Sequence, residues 1–117
     1  MFVRGSVVWA DFGQAVGSES SKRRPAIVVS NNGANVAAWQ GGQGVITIVP
    51  LTSASRRHYN FQVAIPAEQS GLTKDSIAQA EQVRSVDVRR IAPTSAVVGG
   101  SLMGEISRAL SLHLGLY

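Results

Sequence analysis

The 117-residue chain has no cysteine, which excludes disulfides, thiolate catalysis and cysteine-bound zinc and fits a reducing compartment. Histidine is scarce as well: His58 and His113 stand far apart in different contexts, weak material for an acid-base pair or a metal site. No cofactor or metal is expected. There is no apolar run long enough to span a bilayer, and Met1-Phe2-Val3-Arg4-Gly5 lacks a signal-peptide core, so the expectation is a soluble, cytoplasmic chain without membrane contact. The motifs GxxxxGK(S/T), GxSxG and HExxH are all missing, which disfavours nucleotide hydrolysis, serine-hydrolase chemistry and common zinc sites. Charge is sparse too, at 15% of residues against 44% hydrophobic, leaving a surface with apolar patches that suit a partner, most simply a second copy of the chain.

What charge there is has one sign in excess. The formal net charge is +4, and nine arginines outnumber two lysines, a bias suited to bidentate recognition of phosphate or carboxylate. A polyanion or an acidic protein is the partner this implies. The length fits one domain over residues 1–117 with a single core.

Two strand ends concentrate the chemistry. Arg24-Pro25 follows the loop Gly17-Ser18-Glu19 and opens the apolar run Ala26-Ile27-Val28-Val29-Ser30; a residue before proline is pushed to extended geometry, so Arg24 projects in a defined direction. A second run, Val45-Ile46-Thr47-Ile48-Val49-Pro50-Leu51, stops at Thr52-Ser53. Together they can set a fixed cation and a hydroxyl at the rim of one sheet, an arrangement suited to a phosphate. The simpler reading of Lys22-Arg23-Arg24 alone is a solvated basic turn.

Val7 to Phe12 reads as a first strand, and the Gly- and Ser-rich stretch Gly13 to Arg23 is long for a hairpin loop, which makes it a candidate lid over Arg24 or a passive connection. Asn31 and Asn32 supply turn and cap residues before a short helix over Val36-Ala37-Ala38-Trp39, where Trp39 suits packing better than base stacking. Strands are expected at Phe61–Ile65, around Ser76-Ile77-Ala78 and over Glu81–Asp87, which Arg89-Arg90-Ile91-Ala92-Pro93 leaves. Ser101 is placed to cap a terminal helix in which Leu102, Ile106, Leu110 and Leu114 form one stripe and which ends near Gly115; alternation of Leu110, Leu112, Leu114 and Leu116 also suits a strand. The fold class is mainly β with a C-terminal helix: a small, strongly bent antiparallel sheet or partly open barrel with the helix packed on it.

These residues resemble the MazF/PemK/Kid family of toxin endoribonucleases over most of the chain. The segments that carry the likeness occur in family order: Arg4-Gly5 with Val8-Trp9-Ala10-Asp11, Gly17-Ser18-Glu19 with Arg24-Pro25 and Val28-Val29-Ser30-Asn31, Val49-Pro50-Leu51-Thr52-Ser53, Gly71-Leu72 with Asp75-Ser76, Glu81 to Asp87, and the leucine-rich end. The resemblance implies an SH3-like barrel that forms a homodimer, metal-independent cleavage of single-stranded RNA, and an acidic MazE-like antitoxin as cognate partner. It carries the family's functional arginine onto Arg24 and its functional threonine or serine onto Thr52. The 2'-hydroxyl of RNA then attacks the neighbouring phosphate to leave 2',3'-cyclic phosphate and 5'-hydroxyl ends.

Glu19 in the loop is a further catalytic candidate, able to orient Arg24 or accept a proton, and equally a plain solubilising charge. Arg23, Ser53, Arg56, Arg57 and His58 are candidates for holding the RNA backbone, with solvated loop charges the equal alternative for the last three. Arg84 suits a structural or interface role. Ser6 stands where the family often has aspartate, and Gln79 and Glu81 stand where Kid-type members have arginine and aspartate, so the Kid-type set is incomplete. Two readings compete: a CcdB-like toxin that binds DNA gyrase without catalysis, and an SH3-like RNA-binding module.

Overall fold

The computed structural model describes residues 1–53 and 59–116. The chain runs β1 (Ser6–Asp11), β2 (Arg23–Val28), α1 (Asn32–Gly41), β3 (Val45–Ser53), β4 (Gln62–Ile65), α2 (Ala67–Ser70), β5 (Ser76–Gln79), β6 (Arg84–Asp87), β7 (Ile91–Val97) and α3 (Gly100–Leu114), with 3₁₀ turns at Ala80–Gln82 and Val88–Arg90. All strand pairings are antiparallel. The sheet is open, in the order β4-β5-β3-β2-β1-β7, with β6 also on β3.

Strand β3 organises the molecule. Along one side its first half pairs with β6, from Val45↔Asp87 to Ile48↔Arg84, and its last three residues pair with β5, from Leu51↔Ala78 to Ser53↔Ser76. Its other side pairs with β2 only over Ile48, Val49 and Pro50. The sheet therefore changes partners, and bends, along this one strand.

Alternation along the strands feeds two cores. Val7, Ile27, Val49 and Leu51 pack with Ile65, Ala78 and the α3 residues Met103, Ile106 and Ala109. Val8, Ala10, Ala26, Val28, Ile46 and Ile48 pack on the other face with Phe2, Phe12 and Ala38 of α1. Burying both faces explains why β1, β2 and β3 are apolar almost throughout, at roughly 25 cal/mol per Å² removed from water.

The helices differ in detail from the sequence expectation. Helix α1 starts at Asn32, capped by Asn31, whose Oδ1 accepts from the Ala34 N–H at 2.9 Å, so it is longer than the Val36–Trp39 segment read from pattern. Trp39 packs edge-on against Phe2 at 5.5 Å between ring centroids. In α3 the N-cap is Gly99 and Ser101 lies inside the helix; Gly115 ends it at φ 68° as expected. The buried stripe is Met103, Ile106 and Ala109, flanked by Leu102 and Leu110, while Leu114 stays 52% exposed. Glu81 and Gln82 lie in a 3₁₀ turn before β6, so the strand expected over Glu81–Asp87 is shorter.

Candidate active site

The pairing of β2 with β3 ends at Ala26↔Pro50. Continued by two residues, that register would bring Arg24 opposite Thr52. Proline stands at Pro25 on one strand and Pro50 on the other, and neither has an N–H with which to extend the ladder. Beyond this point, among the described residues, β3 pairs with β5 alone, through Leu51↔Ala78, Thr52↔Ile77 and Ser53↔Ser76, and β2 and β3 part. Arg24 and Thr52, both partly buried, face the opening.

That opening is a cleft of about 800 Å³. Its floor and walls include Trp9, Pro25, Leu51, Leu72 and Ala96, and its polar rim includes Lys22, Arg23, Arg24, Lys74, Thr52, Ser53, Thr94 and Asp75. Four cations face one carboxylate, and Asp75 Oδ1 already accepts the Ala67 N–H at 2.9 Å. An anion is the ligand this balance favours. Arg24 Nε donates to the Ser21 carbonyl at 2.9 Å, which fixes the guanidinium plane; the other four N–H donors sit on its two Nη groups.

Of the residues expected from sequence, Arg23, Arg24, Thr52 and Ser53 come together in this cleft. The Arg23 guanidinium lies 5.4 Å from the centroid of the Trp9 ring, a cation–π contact that aligns it along the wall. Arg56, Arg57 and His58 lie outside the described residues. Glu19 is placed elsewhere: its Oε1 accepts the Val16 N–H at 2.8 Å, and it lines a separate polar depression of about 470 Å³ with Glu81, Gln82 and Arg84.

The loop from Phe12 to Lys22 also departs from the lid expectation. It is tied to the 3₁₀ turn, with the Ser20 N–H on Gln82 Oε1 at 3.1 Å and Gln82 Nε2 on the Ser18 carbonyl at 2.7 Å; only its end, Lys22, lines the cleft. Glu81 Oε2 accepts from Gln62 at 2.6 Å, and its buried Oε1 has no partner among the described residues. Arg84 lies over the Phe12 ring at 5.4 Å, in keeping with a structural role. Sequence reading missed Trp9, Lys74 and Thr94, because strand alternation does not say which distant strands and turns will meet at a cleft. Among the described residues, no group of three or more His, Asp or Glu is arranged to hold a metal ion.

The sequence pattern of the PemK-like, MazF-like toxins of type II toxin-antitoxin systems matches residues 3–114. The chain belongs to this family. The toxin is 43% identical over 117 residues to endoribonuclease MazF9 of Mycobacterium tuberculosis, covering 100% of this chain and 99% of that protein. It is 29% identical over 113 residues to endoribonuclease EndoA of Bacillus subtilis, covering 97% and 94%. MazF from Deinococcus radiodurans superposes on the toxin with a TM-score of 0.77 at 32% identity, over 97% of this chain and 96% of that one. A mycobacterial endoribonuclease solved in complex with its cognate antitoxin superposes with a TM-score of 0.76 at 25% identity, over 100% and 98%. No helix among the described residues is long and apolar enough to cross a membrane.

Proposed function

We propose that this endoribonuclease toxin cleaves single-stranded RNA in the Arg24–Thr52 cleft, by attack of a ribose 2'-hydroxyl on the adjacent phosphorus. The observation that supports the reading is that Arg24 and Thr52 both line the cleft that opens where the β2–β3 ladder ends, and that the rim of this cleft is cationic. In the step a P–O bond forms to the 2'-oxygen and the bond to the 5'-oxygen breaks. The proton lost by the 2'-hydroxyl is balanced by the one gained at the 5'-oxygen. The products are a 2',3'-cyclic phosphate and a 5'-hydroxyl.

The Nη donors of Arg24 bind the non-bridging oxygens as negative charge builds on the pentacoordinate phosphorus, and the Thr52 hydroxyl donates a further hydrogen bond. A guanidinium offers only N–H donors and no acceptor, so Arg24 is assigned to charge stabilisation. Arg23, Ser53 and Lys74 hold flanking phosphates, and the positive charge needed at phosphorus comes from the protein without a metal. The toxin acts in the cytoplasm as a homodimer, and an acidic antitoxin segment occupies the cationic cleft, as the cognate antitoxin of the mycobacterial neighbour suggests.

The test is incubation of wild type, Arg24→Ala and Thr52→Ala with a long single-stranded RNA in EDTA, with the cut sites and end groups mapped. Discrete cuts bearing cyclic phosphate and 5'-hydroxyl ends are expected, with losses of about 100-fold or more in both variants. RNA that is bound and left intact would make this an RNA-binding module. RNA neither bound nor cut would turn attention to gyrase.

A further inference from the structure

Arg24 is not positioned by its own strand alone. Its Nε rests on the carbonyl of Ser21, a loop residue whose neighbour Ser20 is held through its N–H by the side chain of Gln82, 62 positions away in sequence. The same carboxamide donates to the Ser18 carbonyl. A single orientation of the Gln82 amide satisfies both bonds, so one side chain reads a donor and an acceptor of the loop backbone. Gln82 itself sits on a firm base: it ends the 3₁₀ turn whose first residue, Ala80, is buried in the core beneath α3.

The loop shows that it is held under constraint. Lys22, between Ser21 and the two arginines, has φ 65°, the one non-glycine residue with positive φ among the described residues. Such a conformation is unfavourable for a residue with a Cβ and persists only where surrounding contacts over-determine it. The contacts here are the Lys22 N–H on the Gly13 carbonyl at 2.7 Å, the Phe12 N–H on the Lys22 carbonyl at 2.8 Å, and the Gln82 clamp.

We propose that Gln82 is a positioning residue for Arg24: by clamping Ser18 and Ser20 it fixes the Ser21 carbonyl, which in turn sets the guanidinium plane that meets the phosphate. This rests on the reading of Arg24 as the charge-stabilising group. A guanidinium displaced by an ångström still meets bound RNA but loses the transition state, so the cost falls on kcat.

The experiment compares wild type, Gln82→Met, Gln82→Glu, Arg24→Lys and Gln82→Met/Arg24→Lys on one fluorogenic oligoribonucleotide containing a mapped cut site, with hydrogen exchange at the Ser20 amide. Gln82→Met, of similar shape without the amide, is expected to lower kcat by about tenfold to a hundredfold with KM within about threefold, and to lose protection at Ser20. Gln82→Glu keeps an acceptor for Ser20 and falls between. On the Arg24→Lys background the Gln82→Met penalty shrinks at least about threefold, because both act through one group.

Wild-type kcat in Gln82→Met overturns the proposal. So does a rise in KM at constant kcat, which would make Gln82 an RNA contact, and so does an undiminished penalty on the Arg24→Lys background. If Arg24→Lys itself cleaved like wild type, the site reading would fall first, a result the Gln82 variants cannot produce.

Discussion

Single residues in this toxin act through the backbone atoms that hold them as much as through their own charge. Asp87 shows this at the surface. Its carboxylate takes the Arg89 side chain in a two-point pair, at 3.0 and 2.9 Å, and the Arg89 N–H at 2.8 Å, ending β6. Those hydrogen bonds, the side-chain pair first, hold its pKa at about 2, below the ordinary 3.8, and the same pair raises that of Arg89. The folded-state value is depressed, so the stability it lends is present above pH 3.8 and is lost as pH falls from there towards 2. An NMR titration should find the Asp87 carboxyl midpoint near 2 in wild type and back near the ordinary value in Arg89→Ala. At this scale the meeting of Arg24 and Thr52 at one cleft was legible in sequence, since Arg24 opens an apolar run directly before Pro25 and Thr52 follows the end of another. The placement of Glu19 was not, because the path of a loop is decided by backbone bonds such as Glu19 N–H to the Val16 carbonyl, which no side-chain pattern records.

At the scale of elements, the cleft depends on how β7 and the turn after α2 approach each other. Gly71 ends α2 at φ 74°, and a Cβ built there would lie 3.1 Å from the Ala96 Cβ on β7. Gly71→Ala therefore meets backbone strain of about 1–2 kcal/mol together with a contact that must give. Chemical denaturation should show a loss of at least about 1 kcal/mol, and RNA cleavage should fall with it, since Gly71, Leu72 and Ala96 all line the cleft. β7 itself was read from sequence as an exit from the preceding strand, on account of Pro93. Among the described residues it is an edge strand, bonded to β1 alone of the strands, and an edge accommodates the missing N–H. Helix α3 was legible in position and end, but its buried face is centred on Met103, Ile106 and Ala109, with Leu102 and Leu110 at its flanks and Leu114 exposed.

For the whole molecule, a net charge of +4 gathered partly around one cleft makes binding to RNA a matter of ions as well as contacts. If Lys22, Arg23, Arg24 and Lys74 each meet a phosphate, log affinity should fall with log salt with a slope of about −3, from roughly −0.7 per contact on a single strand. Fluorescence anisotropy with a non-cleavable 2'-deoxy analogue across a salt series measures it, and Lys74→Ala should reduce the slope by about 0.7. The open sheet with a C-terminal helix followed from the turn spacing and the final amphipathic run; the order of its strands did not, because β3 shares its ladder among three neighbours and sequence gives no sign of such sharing.

That sharing has a consequence in time. With β2, β5 and β6 all bonded to β3, its central amides open only when the whole molecule does, whereas residues 13–19 are exposed and can open locally. Thr52, near the end of β3 and paired with β5, lies between those two limits, and the Ser21 carbonyl that accepts from Arg24 Nε lies at the end of that loop. On the proposed role of Arg24, local opening of that loop, and not global stability, would set the fraction of molecules armed at any instant.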